Sequence, residues 1–146
     1  RVAVEDKSEI TGMLFQGFRK CLMTFCKYRS DPERVFSVVL EDDGEVLKWT
    51  RPTRRDIRIF YKSGSEQPAY EPDFLVETKT GKWICETKKA SEMGDAEVRA
   101  KAEAAVLWCR HATEATGESW GYLLIPHDHV RMSMTFGGFV AGCRVV

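Results

Sequence analysis

The sequence predicts an α/β fold, and three observations support this prediction. A helix start at Ser30-Asp31-Pro32-Glu33 precedes a strongly apolar run. Segments rich in aromatic and β-branched residues then follow between positions 45 and 89, as is typical of strands. A long stretch with helical periodicity over 96–113 separates them from a last apolar strand. The predicted order of the core elements is therefore helix, strand, strand, strand, helix, strand (αβββαβ).

Length and composition indicate one domain with a substantial core. The chain has 146 residues, of which 43% are hydrophobic and 30% charged, as in an ordinary globular protein. No apolar run approaches the length of a membrane span, and no signal-peptide pattern opens the sequence, so we expect no membrane partner and a cytoplasmic location. The first residue is Arg1 rather than Met. We therefore expect residues 1–146 to be a single domain cut from a longer protein.

The net charge bears on the partners of this domain. The 22 basic and 22 acidic residues cancel, whereas a protein that binds nucleic acid on its own is usually basic. We therefore expect weak autonomous binding to DNA. The five cysteines are odd in number and widely spread, which indicates reduced thiols rather than a secreted disulfide framework.

The first third of the chain gives one clear element. Residues 1–10 carry no clear signal, and a helix and a strand with a turn are both compatible with residues 13–28. Ser30 or Asp31 can cap the helix that follows, with Pro32 in its first turn, and this helix is expected to close at 41–44. Glu33 has two interpretations: a favourable charge at the positive end of the helix dipole, or a contribution to an active site.

The middle of the chain predicts strands at 45–51, 56–61, 70–78 and 82–89. The connection at 51–55 is basic, and either a solvated loop or contact with backbone phosphates is compatible with it. The candidate phosphate contacts are Arg51, Arg54 and Arg55.

A hairpin between 70–78 and 82–89 brings acidic and basic side chains together. If Thr80 and Gly81 form a two-residue turn, Asp73 lies opposite Lys88 and Leu75 lies opposite Glu86. Side chains alternate between the faces of a strand, so Asp73, Glu86 and Lys88 are predicted to share one face. The chain also contains a second Glu-Thr-Lys at 77–79, which is expected to run into the turn with Lys79 at its tip.

The last third predicts a helix, a strand and an ambiguous tail. Asp95 is the expected cap of the helix at 96–113, and Gly117 lies just beyond its end. Trp120 to Ile125 is a buried strand that Pro126 ends. His127 and His129 suggest a metal pair only if that strand continues past the proline, so a loop is the preferred interpretation. Residues 131–146 are compatible with an extra strand or with a helix.

The trio of Asp73, Glu86 and Lys88 has a chemical rationale. Mg²⁺ prefers hard oxygen ligands and keeps several waters, so one or two carboxylates suffice to hold it. A bound metal activates water and neutralises charge on phosphate oxygens. A nearby lysine can orient the attacking water or stabilise the transition state. This pattern predicts hydrolysis of a phosphodiester.

The same residues carry a resemblance to a known family. Pro72-Asp73 followed by Glu86-Thr87-Lys88 resembles the PD-(D/E)xK nuclease superfamily. Further segments resemble the nuclease domain of type III restriction enzymes, which lies in the C-terminal part of the Res (helicase–nuclease) subunit. These segments are Leu47–Pro52, Tyr70–Phe74, Val98–Ala102, Trp108-Cys109 and Tyr122–Asp128. The likeness covers roughly residues 12–130.

The resemblance implies a fold, a reaction and partners. The fold is a restriction-endonuclease-like core with a central mixed sheet flanked by helices, and the reaction is Mg²⁺-dependent cleavage of double-stranded DNA, with Mn²⁺ able to substitute. Asp73 and Glu86, with the Thr87 carbonyl, would bind the metal. Lys88 would position the water, Glu33 would assist, and Lys101 would reach a DNA phosphate unless it is a solvent lysine. ATP would act only through an upstream helicase motor.

The resemblance also implies a modification (methyltransferase) subunit and a bacterial or archaeal source. Two alternatives remain open at the level of the sequence. One is a module of the same fold that binds DNA or assembles a complex without cleaving. The other is a helicase-linked repair nuclease.

Overall fold

A computed structural model of the chain describes residues 7–146, with side chains from Ile10 onward. Three α-helices and six strands make up the described part, together with three short 3₁₀ helices at Lys7–Gly12, Ala90–Glu92 and His127–His129. In chain order the main elements are α1 (Asp31–Asp42), β1 (Val46–Thr50), β2 (Ile59–Phe60), β3 (Ala69–Tyr70), β4 (Phe74–Thr78), β5 (Lys82–Lys88), α2 (Ala96–Thr116), β6 (Trp120–Pro126) and α3 (Phe136–Cys143).

The central sheet is mixed and has four strands in the order β1-β4-β5-β6. The first three are antiparallel neighbours, and β6 lies parallel to β5. A parallel neighbour requires a crossover, which α2 supplies. The mixed α/β class predicted from the sequence is thus confirmed.

The predicted strand at 56–61 does not join this sheet. Only Ile59 and Phe60 are extended, and they pair with Ala69 and Tyr70 in a separate two-stranded ribbon. The predicted strand at 70–78 is also divided, because Tyr70 belongs to the ribbon and the central strand starts at Phe74. Pro72, which cannot donate a backbone hydrogen bond, lies in the break between them.

Helix α1 follows its sequence signals closely. The Ser30 side chain accepts from the Glu33 N–H, and the Glu33 carboxylate accepts from the Ser30 hydroxyl, so the two residues cap the helix reciprocally. Phe36 and Leu40 are fully buried against the sheet. The Phe36 ring packs edge-on to Phe74 and Phe139, with centroids 4.9 Å and 5.3 Å away. Removing such a ring costs about 3–5 kcal/mol.

Helix α2 covers the opposite face of the sheet. It is 21 residues long and ends at Gly117, whose φ of 74° is the left-handed conformation that favours glycine. Asp95 occupies the predicted cap position, but its side chain makes no capping hydrogen bond. Its buried residues are Val98, Ala105 and Cys109.

The two ambiguous segments have mixed outcomes. Residues 13–28 form neither a long helix nor a strand of the sheet, although Phe15 bridges Cys26 and Cys21 bridges Trp49 of β1. The tail forms α3, and its last residues then pair with β6 through Val145 and Val146, which bond Tyr122. Within the described residues, no helix has the length and apolar character that crossing a bilayer requires.

Candidate functional site

The hairpin of β4 and β5 places Asp73 and Glu86 together, but not in the predicted register. Phe74 lies opposite Cys85 and Leu75 opposite Ile84, so the pairing is shifted by two residues from the expected one. Four residues, Thr78–Gly81, connect the paired Glu77 and Lys82 rather than two. A shift of two keeps every side chain on its face, because the period of a strand is two.

The longer turn has a local cause. The Thr78 hydroxyl donates to the Gly81 carbonyl at 2.8 Å and accepts from the Gly81 N–H at 3.2 Å. A Cβ at Gly81 would lie 2.9 Å from the Ser119 carbonyl oxygen, so a side chain there would collide with backbone. The turn therefore closes on a threonine side chain and on the chain segment before β6.

Asp73 lies immediately before β4 and is partly buried. Its Oδ2 accepts from the Thr87 N–H at 3.0 Å, which ties it to β5. Burial and the neighbouring Glu33 carboxylate raise the pKa of Asp73. The Thr87 hydrogen bond, Arg51 and the Lys88 ammonium oppose that rise.

Glu86 is buried, with 5% of its surface exposed. Burial and the charge of Asp73 raise its pKa to about 7. The Tyr122 hydroxyl of β6 donates to Oε2 at 2.5 Å, and this bond and the Lys88 ammonium partly offset the rise. The two acids thus share a site without full cationic compensation, which is an arrangement common at functional centres.

Lys88 and Lys101 bring positive charge to the same place. Together with Asp73, Glu86 and Tyr70 they line a cavity of about 230 Å³ between the hairpin and α2. The Lys101 ammonium lies 5.2 Å and 5.3 Å from the centres of the Tyr61 and Tyr70 rings. It also pairs with Glu97 at 3.3 Å, and 23% of its side chain is exposed. Lys101 is therefore part of the cavity wall rather than a freely solvated lysine.

Glu33 lies beside the site, but both of its carboxylate oxygens are engaged. Oε1 pairs with Arg51 at 2.7 Å, and Oε2 accepts from the Arg29 N–H at 2.9 Å and from the Ser30 hydroxyl. Its charge still raises the pKa of Asp73. Its predicted catalytic assistance stays a prediction, while the capping role is visible in the geometry.

The predicted phosphate contacts fall into two groups. Arg51 is largely buried: it pairs with Glu33 and lies over the rings of Tyr28 and Phe74, at 5.2 Å and 4.7 Å. Arg54 and Arg55 are exposed, and Arg54 makes only a 3.5 Å ion pair with Glu71. Arg51 is thus held by its ion pair while it also borders a cavity, whereas the side chains of Arg54 and Arg55 are exposed. Their contact with DNA stays a prediction.

A second cavity adjoins the first. It measures about 660 Å³ and runs along Arg51, Arg54 and the loop that contains Phe25. Asp73, Glu71 and Arg29 line both cavities. The two cavities therefore share part of their lining, and together they are called the groove beside the carboxylates.

The sequence analysis missed three residues of the site. These are Tyr122, which bonds Glu86, Tyr70, whose hydroxyl donates to the Lys101 carbonyl at 3.1 Å, and Arg29, which borders both cavities. Tyr122 lies on the same face as Glu86, because Glu86 pairs with Leu124 in the parallel ladder. Alternation along β6 could have indicated that face only if this register had been known.

The two histidines after β6 lie in a short helical turn. His127 and His129 begin and end a 3₁₀ helix, so the strand does not continue past Pro126, as the preferred interpretation expected. His129 Nδ1 lies 3.8 Å from the Cys143 sulfur. Burial lowers the pKa of His127.

The donor set fits Mg²⁺ by its chemistry. In the described part of the chain, no group of three or more His, Cys, Asp or Glu side chains is arranged to hold a metal ion. Mg²⁺ needs fewer, because it binds proteins through one or two carboxylates and keeps several waters. Asp73 and Glu86 provide two hard-oxygen groups whose pKa values are raised by burial and by a neighbouring carboxylate. The Thr87 carbonyl is the third predicted ligand.

Comparisons with known proteins do not assign this chain to a family. No model of a known protein family matches this chain, and no curated protein matches it either.

Proposed function

We propose that this chain is a metal-dependent nuclease domain of the PD-(D/E)xK type that hydrolyses phosphodiester bonds in double-stranded DNA. The observation that carries the proposal is the pair of Asp73 and Glu86, which line one cavity with Lys88 and both have raised pKa values. The order of elements supports it: α1, an antiparallel β1-β4-β5 meander, α2 and a parallel β6. This is the αβββαβ order that the sequence resemblance implies.

Each side chain of the site has a proposed task. Asp73 and Glu86 would hold Mg²⁺, or Mn²⁺ in its place, with the Thr87 carbonyl. The metal supplies positive charge that stabilises the charge developing on the phosphate oxygens. Lys88 orients the attacking water and donates to the phosphate, and Tyr122 fixes the Glu86 carboxylate through its hydroxyl. Glu33 would assist indirectly, through its effect on Asp73.

The reaction is a displacement at phosphorus. The water oxygen forms a bond to phosphorus while the bond from phosphorus to the 3′ oxygen breaks, and the released 3′ oxygen ends as a hydroxyl. Arg54, Arg55 and Lys101 would contact backbone phosphates along the groove. The overall charge of zero makes delivery by a partner important. In the type III restriction systems that the sequence resembles, this partner is the helicase part of Res with its modification subunit.

Nicking of supercoiled plasmid at low salt tests the proposal. The wild-type domain is expected to nick with Mg²⁺ or Mn²⁺ and to stop when EDTA is added, and Glu86→Gln is expected to be inactive. The same assay on a longer protein that contains the motor, with ATP, tests whether the domain cleaves only together with its partner. Absence of metal-dependent nicking in both proteins would contradict the proposal and favour a non-cleaving DNA-binding module. Cleavage confined to branched or single-stranded ends would favour a repair nuclease.

A further inference from the structure

A pair of thiols lies outside the carboxylate site. The sulfurs of Cys21 and Cys26 are 3.4 Å apart in the loop before α1. We infer that these two cysteines form a reactive dithiol that closes to an intramolecular disulfide when it meets a low-molecular-weight disulfide. The inference does not depend on the proposed nuclease function.

The backbone holds the two cysteines in place from different sides. Cys26 exchanges two hydrogen bonds with Phe15, at 2.9 Å and 3.0 Å. The residues flanking Cys21 bond the two backbone groups of Trp49, where Leu22 donates and Lys20 accepts, each at 3.0 Å. A disulfide requires the sulfurs to lie about 2 Å apart, so a small side-chain rotation closes the remaining gap.

The two thiols differ in environment in the way that stepwise exchange requires. Cys21 is partly exposed, and its sulfur accepts from the Met23 N–H at 3.4 Å and lies within reach of the Cys26 thiol. Cys26 is 1% exposed. The hydrogen bond from Cys26 lowers the pKa of Cys21 to about 7. The Met23 N–H and Arg51 also lower this pKa, whereas burial and the Glu41 carboxylate raise it.

The same contact has the opposite effect on the partner. The hydrogen bond to Cys21, with burial, raises the pKa of Cys26. Cys21 is therefore the accessible thiolate that attacks first, and Cys26 is the thiol that attacks in the second step.

The chemistry proceeds in two balanced exchanges. The Cys21 thiolate attacks one sulfur of the small disulfide and forms a mixed disulfide, while the other half leaves as a thiolate. Cys26 then gives up its proton and attacks the Cys21 sulfur, which closes the protein disulfide and releases the second small thiol. The two cysteines are oxidised, and one small disulfide is reduced to two thiols.

The location gives the bond a structural consequence. The four residues between the cysteines include Leu22 and Phe25, with 68% and 49% of their surface exposed. Met23, Phe25 and Cys26 also line the cavity of about 660 Å³ beside Arg51. Closing the ring therefore fixes one wall of this groove.

Oxidised glutathione is the probe for this site. The reduced protein, incubated with it under native conditions, is expected to become lighter by two hydrogen atoms. Alkylation after denaturation should then modify three of the five cysteines. Peptide mapping should show one cross-link, between Cys21 and Cys26. A protein that keeps all five thiols, a glutathione adduct that persists on wild-type Cys21, or a cross-link between other cysteines would overturn the inference.

Variants separate the attacking thiol from the following one. Cys26→Ser is expected to stop with one glutathione on Cys21, and Cys21→Ser is expected to form neither the adduct nor the cross-link. Cys143→Ser serves as the matched control, because Cys143 lies near His129 at the other end of the chain and should leave the reaction unchanged. If a variant fails to fold, the wild-type peptide map still decides the question.

Discussion

The chain contains the tripeptide Glu-Thr-Lys twice, once at each end of the β4–β5 hairpin, and the two copies occupy opposite environments. Glu77 of the first copy has 32% of its side chain exposed and pairs with Lys48 at 3.2 Å. Glu86 of the second copy is 5% exposed, lies near Asp73 and accepts from Tyr122. The same tripeptide therefore forms a solvated strand end in one place and, in the other, contributes to a pair of acids with raised pKa values.

The lysines of the two copies differ in the same sense. Lys79 lies in the turn with 58% of its side chain exposed, 3.9 Å from Glu45. Lys88 lines the cavity and lowers the pKa of both Asp73 and Glu86. Burial and the neighbours across the sheet, rather than the motif itself, decide which copy can carry chemistry. A substitution in the first copy therefore serves as the control for the same substitution at the matched position of the second copy.

The largest expected effect concerns cleavage. Lys88→Met should reduce metal-dependent plasmid nicking by about 100-fold or more, since positioned proton donors and acceptors contribute at least that much. Lys79→Met should leave the rate unchanged. Initial nicking rates at equal protein concentration measure both. Equal losses in the two variants would show that the second copy has no special role.

The next effect is the dependence of stability on pH in the absence of metal. Glu86 has a pKa of about 7 in the folded state, against an ordinary value of 4.5. Between these two values the unfolded state releases a proton that the folded state retains, so the free energy of unfolding falls as pH rises and then levels above pH 7. The full loss is roughly 3 kcal/mol.

Glu86→Gln should remove the part of this dependence that comes from Glu86, because Gln does not titrate, while the raised pKa of Asp73 still contributes. Glu77→Gln should behave like the wild type. Urea unfolding at pH 5 and pH 8 in EDTA measures the difference. A wild-type protein that is equally stable at both pH values would contradict the environment assigned to Glu86.

A smaller effect is expected from the hydrogen bond to Glu86. Tyr122→Phe removes the donor and leaves a buried carboxylate oxygen unsatisfied, which costs about 1–3 kcal/mol. Because that bond lowers the pKa of Glu86, the variant should lose more stability at pH 8 than at pH 5. Chemical denaturation at the two pH values separates this result from a loss of packing alone, which would be the same at both.

The smallest effect is expected at the exposed copy. Lys48→Met breaks the ion pair with Glu77, whose two side chains are 55% and 32% exposed. Such pairs contribute about 0.5 kcal/mol or less. Thermal unfolding should therefore show almost no change, and a large loss of stability would mean that the first copy is more than a solvated strand end.

The comparison also shows which features the sequence could predict. Alternation along β4 and β5 is local, so the shared face of Asp73 and Glu86 followed from the sequence, as did the first helix with its Ser30 cap. The exact register did not, because Thr78 closes a longer turn and the segment at Ser119 packs against Gly81. That contact joins residues distant in sequence.

Other features of the site also depend on distant partners. Tyr122 reaches Glu86 only through the parallel pairing of β5 with β6, across a helix of 21 residues. The segment at 13–28 is shaped by its bridges to Trp49 and between Phe15 and Cys26. Arg51, predicted to contact phosphate, is held by Glu33 and two aromatic rings. Local patterns therefore identified the acids but not the residues that bury and fix them.

Direct binding of Mn²⁺ tests the central claim, that only the second Glu-Thr-Lys helps to form a metal site. Electron paramagnetic resonance of free Mn²⁺ during titration compares the wild type with Glu86→Gln and Glu77→Gln at pH 8. One bound ion is expected in the wild type and in Glu77→Gln, with binding lost or weakened about 10-fold or more in Glu86→Gln. Equal binding by all three proteins, or a loss in Glu77→Gln alone, would contradict the account.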